Sequence, residues 1–243
     1  IGFNTVLGPV LDVCPAEGTE SHIAARSYSG DALEAAELGG GAISAFLEAG
    51  ILPVAKHFPG YGAARVDPHL DLPTRTESRE ELEACDLIPF ARAAAAGCPA
   101  IMTAHIVATG LDAELPCTLS RAWVDYLRLE LGFEGCLVSD DLCMASVRDR
   151  YGPGELAERA LRAGLDLLLV CHPAPGSLAE VCRHLERVAE RDPGFAARLS
   201  DAHEHVERAR GLLDVSPAPS LCPELFAAGE RLRAELAAEG ARW

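Results

Sequence analysis

Basic residues are scarce in this chain. Its 243 residues include 21 lysines and arginines against 37 aspartates and glutamates, a formal charge of −16. That balance argues against partners whose binding depends on neutralised phosphate or anionic lipid, nucleic acid first among them. Long apolar runs are missing too. None approaches the roughly 20 residues a membrane-spanning helix needs, and Ile1-Gly2-Phe3-Asn4 has no basic signal-peptide start. A soluble chain without a membrane partner is the expectation. No CxxC pair occurs among nine cysteines, several of which lie in apolar runs such as Leu168-Leu169-Val170-Cys171. Buried, free thiols in a reducing compartment fit that pattern. Neither a G-x-G-x-x-G nor a Walker sequence is present to hold a nucleotide. Lysine is almost absent as well: Lys56 is the only one, and a coding bias toward arginine does not explain why it is kept.

With 49% apolar and 24% charged residues, the chain has material for a sizeable core. Apolar or β-branched runs at 6–13, 52–56, 100–105, 136–139 and 167–171 alternate with helical patterns. Asp31-Ala32-Leu33-Glu34 and Ser78-Arg79-Glu80-Glu81 read as capping boxes. Ser120 is placed to cap a helix carrying Val124, Leu127 and Leu131, which Gly132 ends, and 155–163 supplies another helix. This alternation predicts an α/β fold with a parallel sheet. Polar residues follow each run, with Asp12, Lys56-His57, His105, Asp140 and His172 after different strands, and this favours a (β/α)8 barrel over an open sheet. Only five of eight strands are legible, so about five C-terminal strand–helix units of a barrel are expected at 1–215. A linker and last helix follow at 216–243. Such an open arc would expose its inner wall and two sheet edges, and is expected to associate or precipitate.

The densest chemistry is Lys56-His57-Phe58-Pro59-Gly60-Tyr61-Gly62, followed by Asp67-Pro68-His69. Prolines and glycines past a strand make a loop that can act as a lid, or an ordinary surface connection. A carboxylate two residues from an imidazole can fix its tautomer and leave the other nitrogen to move protons; the plain alternative is a local turn contact. Asp140 emerges at a strand end and can attack an anomeric carbon, while Asp141 can accept hydrogen bonds from backbone or support the loop; either can also be a helix cap, and two adjacent aspartates can also be metal ligands. Arg26 offers a forked donor set to a hydroxyl or carboxylate. His203 and His205 lie two apart on a helix, point to different faces, and read as solvated.

Taken together, the run from Lys56 to Gly62, Asp67-x-His69, Ser139-Asp140-Asp141-Leu142-x-Met144, Gly8-Pro9-Val10-Leu11-Asp12-Val13 and Arg26-Ser27-Tyr28 resemble, in this order, the family-3 glycoside hydrolases of the β-N-acetylglucosaminidase (NagZ) type. The resemblance implies a (β/α)8 barrel that removes terminal β-linked N-acetylglucosamine with retention, without metal or cofactor. By motif position it implies Asp140 as nucleophile, His69 oriented by Asp67 as acid/base, and Lys56, His57, Arg26, His105 and Asp141 around the sugar. Its expected partners are N-acetylglucosamine-containing saccharides or muropeptides in peptidoglycan recycling. Tyr61 stands where the family often has His, Pro68 where it usually has Ser, and an early acidic sugar-binding motif has no counterpart, as if the N-terminal part of the barrel were missing. A sugar phosphorylase and an inactive sugar-binding relative are the alternatives.

Overall fold

The structure, a computed structural model, describes residues 3–14, 21–62, 64, 66–172 and 176–213, with isolated positions after 226. A curled sheet of five parallel strands runs in the order β1 (Thr5–Val6), β2 (Leu52–Phe58), β4 (Ala100–Thr103), β6 (Cys136–Asp141) and β7 (Leu167–Leu169). A parallel two-residue ladder, β3 (Thr74–Arg75) with β5 (Val107–Ala108), lies outside it. Helical crossovers join the main strands, as parallel pairing requires. They are α1 (Ala32–Glu48), α2 (Arg79–Glu83) with α3 (Leu87–Ala95), α4 (Arg121–Asp125), and α5 (Ala145–Arg148) with α6 (Pro153–Ala163); α7 (Ser177–Arg191) and α8 (Pro193–Arg210) follow β7. This is a partial (β/α)8 barrel.

Local chemistry sets several boundaries. Asp31 accepts from the N–H groups of Leu33 and Glu34 at 2.9 Å, but Glu34 turns to the Ser29 hydroxyl at 2.6 Å, so only half of that capping box forms. At Ser78 both halves form. Ser120 caps α4 as expected, but the helix then widens into a π turn, Tyr126–Glu130, before Gly132 at φ 66°. The widened turn carries Arg128, whose guanidinium donates to the carbonyls of Phe133 and Gly135 and to Asp166. The expected strand at 6–13 is only two residues of ladder plus a bridge between Val10 and Lys56, because Pro9 has no N–H to give.

The two faces of the sheet are covered differently. Alternation puts Ala55, Ile101 and Leu137 on the outer face, in one core with Leu11, Ile43, Phe90, Trp123, Leu127 and Leu156. Helix α1 comes so close to the 9–14 segment that a Cβ on Gly39 would lie 2.3 Å from Leu11 Cδ2. On the inner face, Leu52, Val54, Ala100, Met102, Cys136 and Val138 pack under Val206 and Ala209 of α8 and under Leu213. The inner wall is therefore not bare, as the open arc had led us to expect: all six of these side chains are buried, because α8 crosses the space they face. That helix is pinned at the N-terminal end of the strands by Arg198, which donates to the carbonyls of Leu161, Gly164 and Leu165 and to the Asp166 carboxylate.

Two further expectations are corrected. No disulfide joins the eight described cysteines, but Cys171 and Cys182 are exposed and Cys85 and Cys143 half-buried; only four are core residues. His205 is half-buried, with Nδ1 2.9 Å from the Asp201 carbonyl. The boundary at 215/216 lies outside the described residues, as do Cys222 and most of the last helix. Among the described residues no helix is long and apolar enough to cross a membrane.

Candidate active site

The C-terminal ends of β2, β4 and β6 share one edge of the sheet. Asp12, fully buried beside β2, organises its first part. One carboxylate oxygen, Oδ2, accepts from the His57 N–H at 3.1 Å and lies 2.8 Å from His57 Nδ1; the other accepts from the Tyr61 N–H at 2.7 Å. Burial pushes Asp12 up, but the His57 ring and the two backbone donors outweigh it and hold the carboxyl below its usual range. With Nδ1–H turned to Asp12, His57 keeps Nε2 for another partner.

Lys56, one residue earlier, falls on the inner face with Val54, and Asp140 falls there with Val138. Burial and the Arg26 charge push the Lys56 amine down, while Asp140 and Asp12 draw it up; the net direction is down. These four groups therefore share one electrostatic neighbourhood. Arg26 itself is exposed, at the end of a short 3-10 turn, Ala24–Arg26. Asp140 is half-buried; its Oδ1 accepts from the Asp141 N–H at 2.8 Å, and its Oδ2 has no hydrogen-bond partner among the described residues.

Two residues expected at the sugar are bonded to the protein instead. Asp141 Oδ1 accepts from the N–H groups of Cys143 and Cys171, both at 3.0 Å, and so ties the ends of β6 and β7 together. Burial raises this carboxyl, but the two N–H donors outweigh it and the group stays low. His105 is wholly buried: Nδ1 lies 2.8 Å from the Thr118 hydroxyl, and Nε2 3.1 Å from the Asp141 carbonyl. Burial lowers its pKa, so a neutral ring donates from Nε2 to that carbonyl and accepts at Nδ1. Both ring nitrogens are thus committed to protein, and His105 props the strand end that carries Asp140.

Beyond β2 the chain leaves through a turn held from below. The Arg75 guanidinium is paired with both oxygens of buried Asp86, at 2.6 and 2.9 Å, and donates to the Gly60 carbonyl at 3.2 Å. Gly62, at φ 52°, lies so close that a Cβ there would sit 2.5 Å from Arg75 Nη1. Tyr61 is buried between two imidazoles, with ring centroids 5.2 Å from His57 and 5.0 Å from His22, and its hydroxyl accepts from the His105 N–H at 3.2 Å. Further out, His69 Nδ1 lies 2.8 Å from Asp67 Oδ1, which also accepts the His69 N–H at 2.9 Å. Partial burial raises Asp67, but these His69 contacts outweigh it and hold the carboxyl low. The His69 side chain is 67% exposed, so an arriving group can reach Nε2. The Pro68 carbonyl accepts from the Ser146 N–H at 3.3 Å, and Asp71 pairs with Arg150, so the loop rests on α5.

Sequence reasoning gave no role to His22 or Arg75, and named Asp12 only as a strand-end residue and Tyr61 only as a departure from the family's usual His. Asp12 and His57 are 45 positions apart, and only the parallel neighbours β1 and β2 bring them together. Among the described residues, Asp166, Asp201 and His205 are grouped closely enough to share an ion, but Asp166 already accepts from Arg128 and Arg198, whose charges oppose a cation.

Comparison with known proteins gives a consistent result. The family model described as "Glycosyl hydrolase family 3 N terminal domain" matches residues 1–209. A "Beta-hexosaminidase" of Alkalilimnicola ehrlichii is 36% identical over 203 residues, which is 83% of this chain and 56% of the relative. One of Tolumonas auensis is 41% identical over 173 residues, 70% of this chain and 51% of the relative. Among solved structures, a glycoside hydrolase family 3 beta-N-acetylglucosaminidase from Paenibacillus sp. superposes with a TM-score of 0.82 at 34% identity, covering 90% of this chain and 42% of that one. The beta-N-acetylglucosaminidase from Thermotoga maritima gives 0.77 at 30% identity, covering 88% and 45%. This chain spans about half the length of the curated relatives it matches.

Proposed function

The chain belongs to glycosyl hydrolase family 3, and we propose that it carries the catalytic groups of a retaining exo-β-N-acetylglucosaminidase acting on terminal β-linked N-acetylglucosamine. The observation that carries this reading is the Asp67–His69 pair: one imidazole nitrogen is held by a carboxylate and the other is open, on a loop at the same sheet edge as Asp140. The names of the relatives support the sugar.

In this reading Asp140 attacks the anomeric carbon while His69 Nε2–H protonates the departing oxygen, giving a glycosyl-enzyme ester and a free aglycone. Water then attacks the same carbon; His69 takes its proton and Asp140 leaves. Asp67 fixes the His69 tautomer and stabilises the imidazolium. Lys56, His57 Nε2 and Arg26 supply donors for the sugar hydroxyls, while Asp141 and His105 hold the β6 end in place. Muropeptides from cell-wall turnover, in the cytoplasm, are the proposed substrate class and setting. They rest on the family resemblance of the motifs.

The test is release of aryl aglycone from an aryl β-N-acetylglucosaminide by this chain. Release that is lost in Asp140→Ala supports the proposal. Release that persists in Asp140→Ala, or no release by folded wild-type chain, contradicts it for these residues.

A further inference from the structure

His22 enters neither the sequence motifs nor the mechanism above, yet it occupies a particular place. It lies in the segment before Arg26, with its ring edge against Tyr61 at 5.0 Å and an interplanar angle of 75°. Its Nδ1 is buried and has no hydrogen-bond partner among the described residues. A buried polar atom without a partner is uncommon and calls for an explanation. The charged and titratable groups that act on His22 are Asp67, Asp12, His57 and Arg26. Asp12 and His57 are already bonded to each other. Asp67 is not saturated: Oδ1 takes both contacts from His69, and Oδ2 has no partner among the described residues. Among the described residues, an imidazole nitrogen without an acceptor thus lies within electrostatic reach of a carboxylate that has one oxygen without a donor, the first on the rim and the second on the loop.

We infer that His22 is the positioning residue of the loop: when the 66–71 segment swings inward, His22 Nδ1–H donates to Asp67 Oδ2 and holds the Asp67–His69 pair over Asp140. This rests on the proposed role of that pair. Burial lowers the His22 pKa, which keeps the ring neutral and so able to carry its single proton on Nδ1 while Nε2 stays bare. The bond would satisfy both open atoms at once. It would also restrain rotation of the Asp67 carboxyl. Tyr61 packs against both His22 and His57 and so restrains the His22 ring.

A residue that serves acid catalysis matters most when the leaving group needs a proton. The experiment compares kcat/KM for phenyl and 2,4-dinitrophenyl β-N-acetylglucosaminides in wild type, His22→Leu, His22→Asn and His69→Ala. The inference expects His22→Leu to lose about tenfold on the phenyl substrate, the scale of one charge-assisted hydrogen bond, and less than about twofold on the dinitrophenyl one. His22→Asn, whose amide places a donor near the Nδ1 position, should recover most of the loss. An equal loss on both substrates, or no recovery in Asn, overturns the inference. If His69→Ala also shows equal losses on both, it is the acid/base reading of the pair that fails. A second readout is independent of turnover: in imidazole-labelled protein with N-acetylglucosamine added, nitrogen NMR should show a slowly exchanging His22 Nδ1–H that disappears in Asp67→Ala. Its absence in wild type contradicts the inference.

Discussion

Two buried carboxylates stand at opposite edges of the same sheet. At the N-terminal edge, Asp166 accepts from Arg128 at 2.6 Å, from Arg198 at 2.5 Å and from the Leu137 N–H at 2.8 Å. Its charge is spent on tying α8, β6 and the π turn together. At the C-terminal edge, Asp12 also takes three contacts, but one is from an imidazole whose second nitrogen is left for another partner. The same side chain in the same degree of burial acts as glue below and as a tuner of a neighbour above. The difference lies in the partner: a guanidinium cannot give up its proton, whereas an imidazole can accept and return one. In a strand–helix barrel, chemistry gathers where strands end and stability where they begin.

Substitutions can break this contrast. The largest effect expected is on turnover: Asp140→Ala should abolish aryl release, and His69→Ala should lower it ~10²- to 10⁴-fold on substrates with poor leaving groups. Both should melt within a degree or two of wild type, since neither side chain is in the core. Asp166→Asn should do the reverse, costing about 3 kcal/mol of stability by leaving two guanidiniums without a counter-charge; chemical denaturation would read it, and KM should not move once the protein is folded.

Arg75→Lys sharpens the comparison from the loop side. Lysine cannot bond both Asp86 oxygens and the Gly60 carbonyl at once, so a loss of roughly 1–3 kcal/mol is expected, with a rise in KM if the turn supports the loop. The smallest effect concerns pH. His105 and His22 are held below the ordinary imidazole value of 6.5 by burial. As the pH falls below 6.5, the unfolded chain takes up protons that the folded chain refuses, so stability must drop. His105→Gln should flatten the melting-temperature decline between pH 7 and pH 5 by a fraction of the wild-type slope. An unchanged slope would mean that His105 is protonated in the fold.

Much of this was legible from residues alone, for identifiable reasons. Continuous apolar runs such as Cys136-Leu137-Val138 mark strands buried on both faces, and the polar residue after each run marks the working edge. Asp67-x-His69 is a local pair, and local pairs survive translation into structure. What was not legible depends on residues far apart in the chain. Asp12 meets His57 through strand pairing, Arg75 meets Asp86 and Gly60 through packing, and α8 covers an inner wall that strand counting left bare. His105 and Asp141 followed the strand-end rule but are taken up by the protein, because their side chains complete hydrogen bonds that hold β6 to its neighbours. The β3–β5 ladder, at two residues per strand, is too short to leave a periodic signal.

The most direct measurement is the location of the covalent intermediate. The chain is incubated with a fluorinated N-acetylglucosaminide that forms the glycosyl-enzyme quickly and releases it slowly, then digested and mapped by mass spectrometry. The account predicts one sugar adduct, on the peptide containing Asp140, absent in Asp140→Ala. An adduct on any other carboxylate, or turnover that yields the inverted anomer with no adduct, would contradict it.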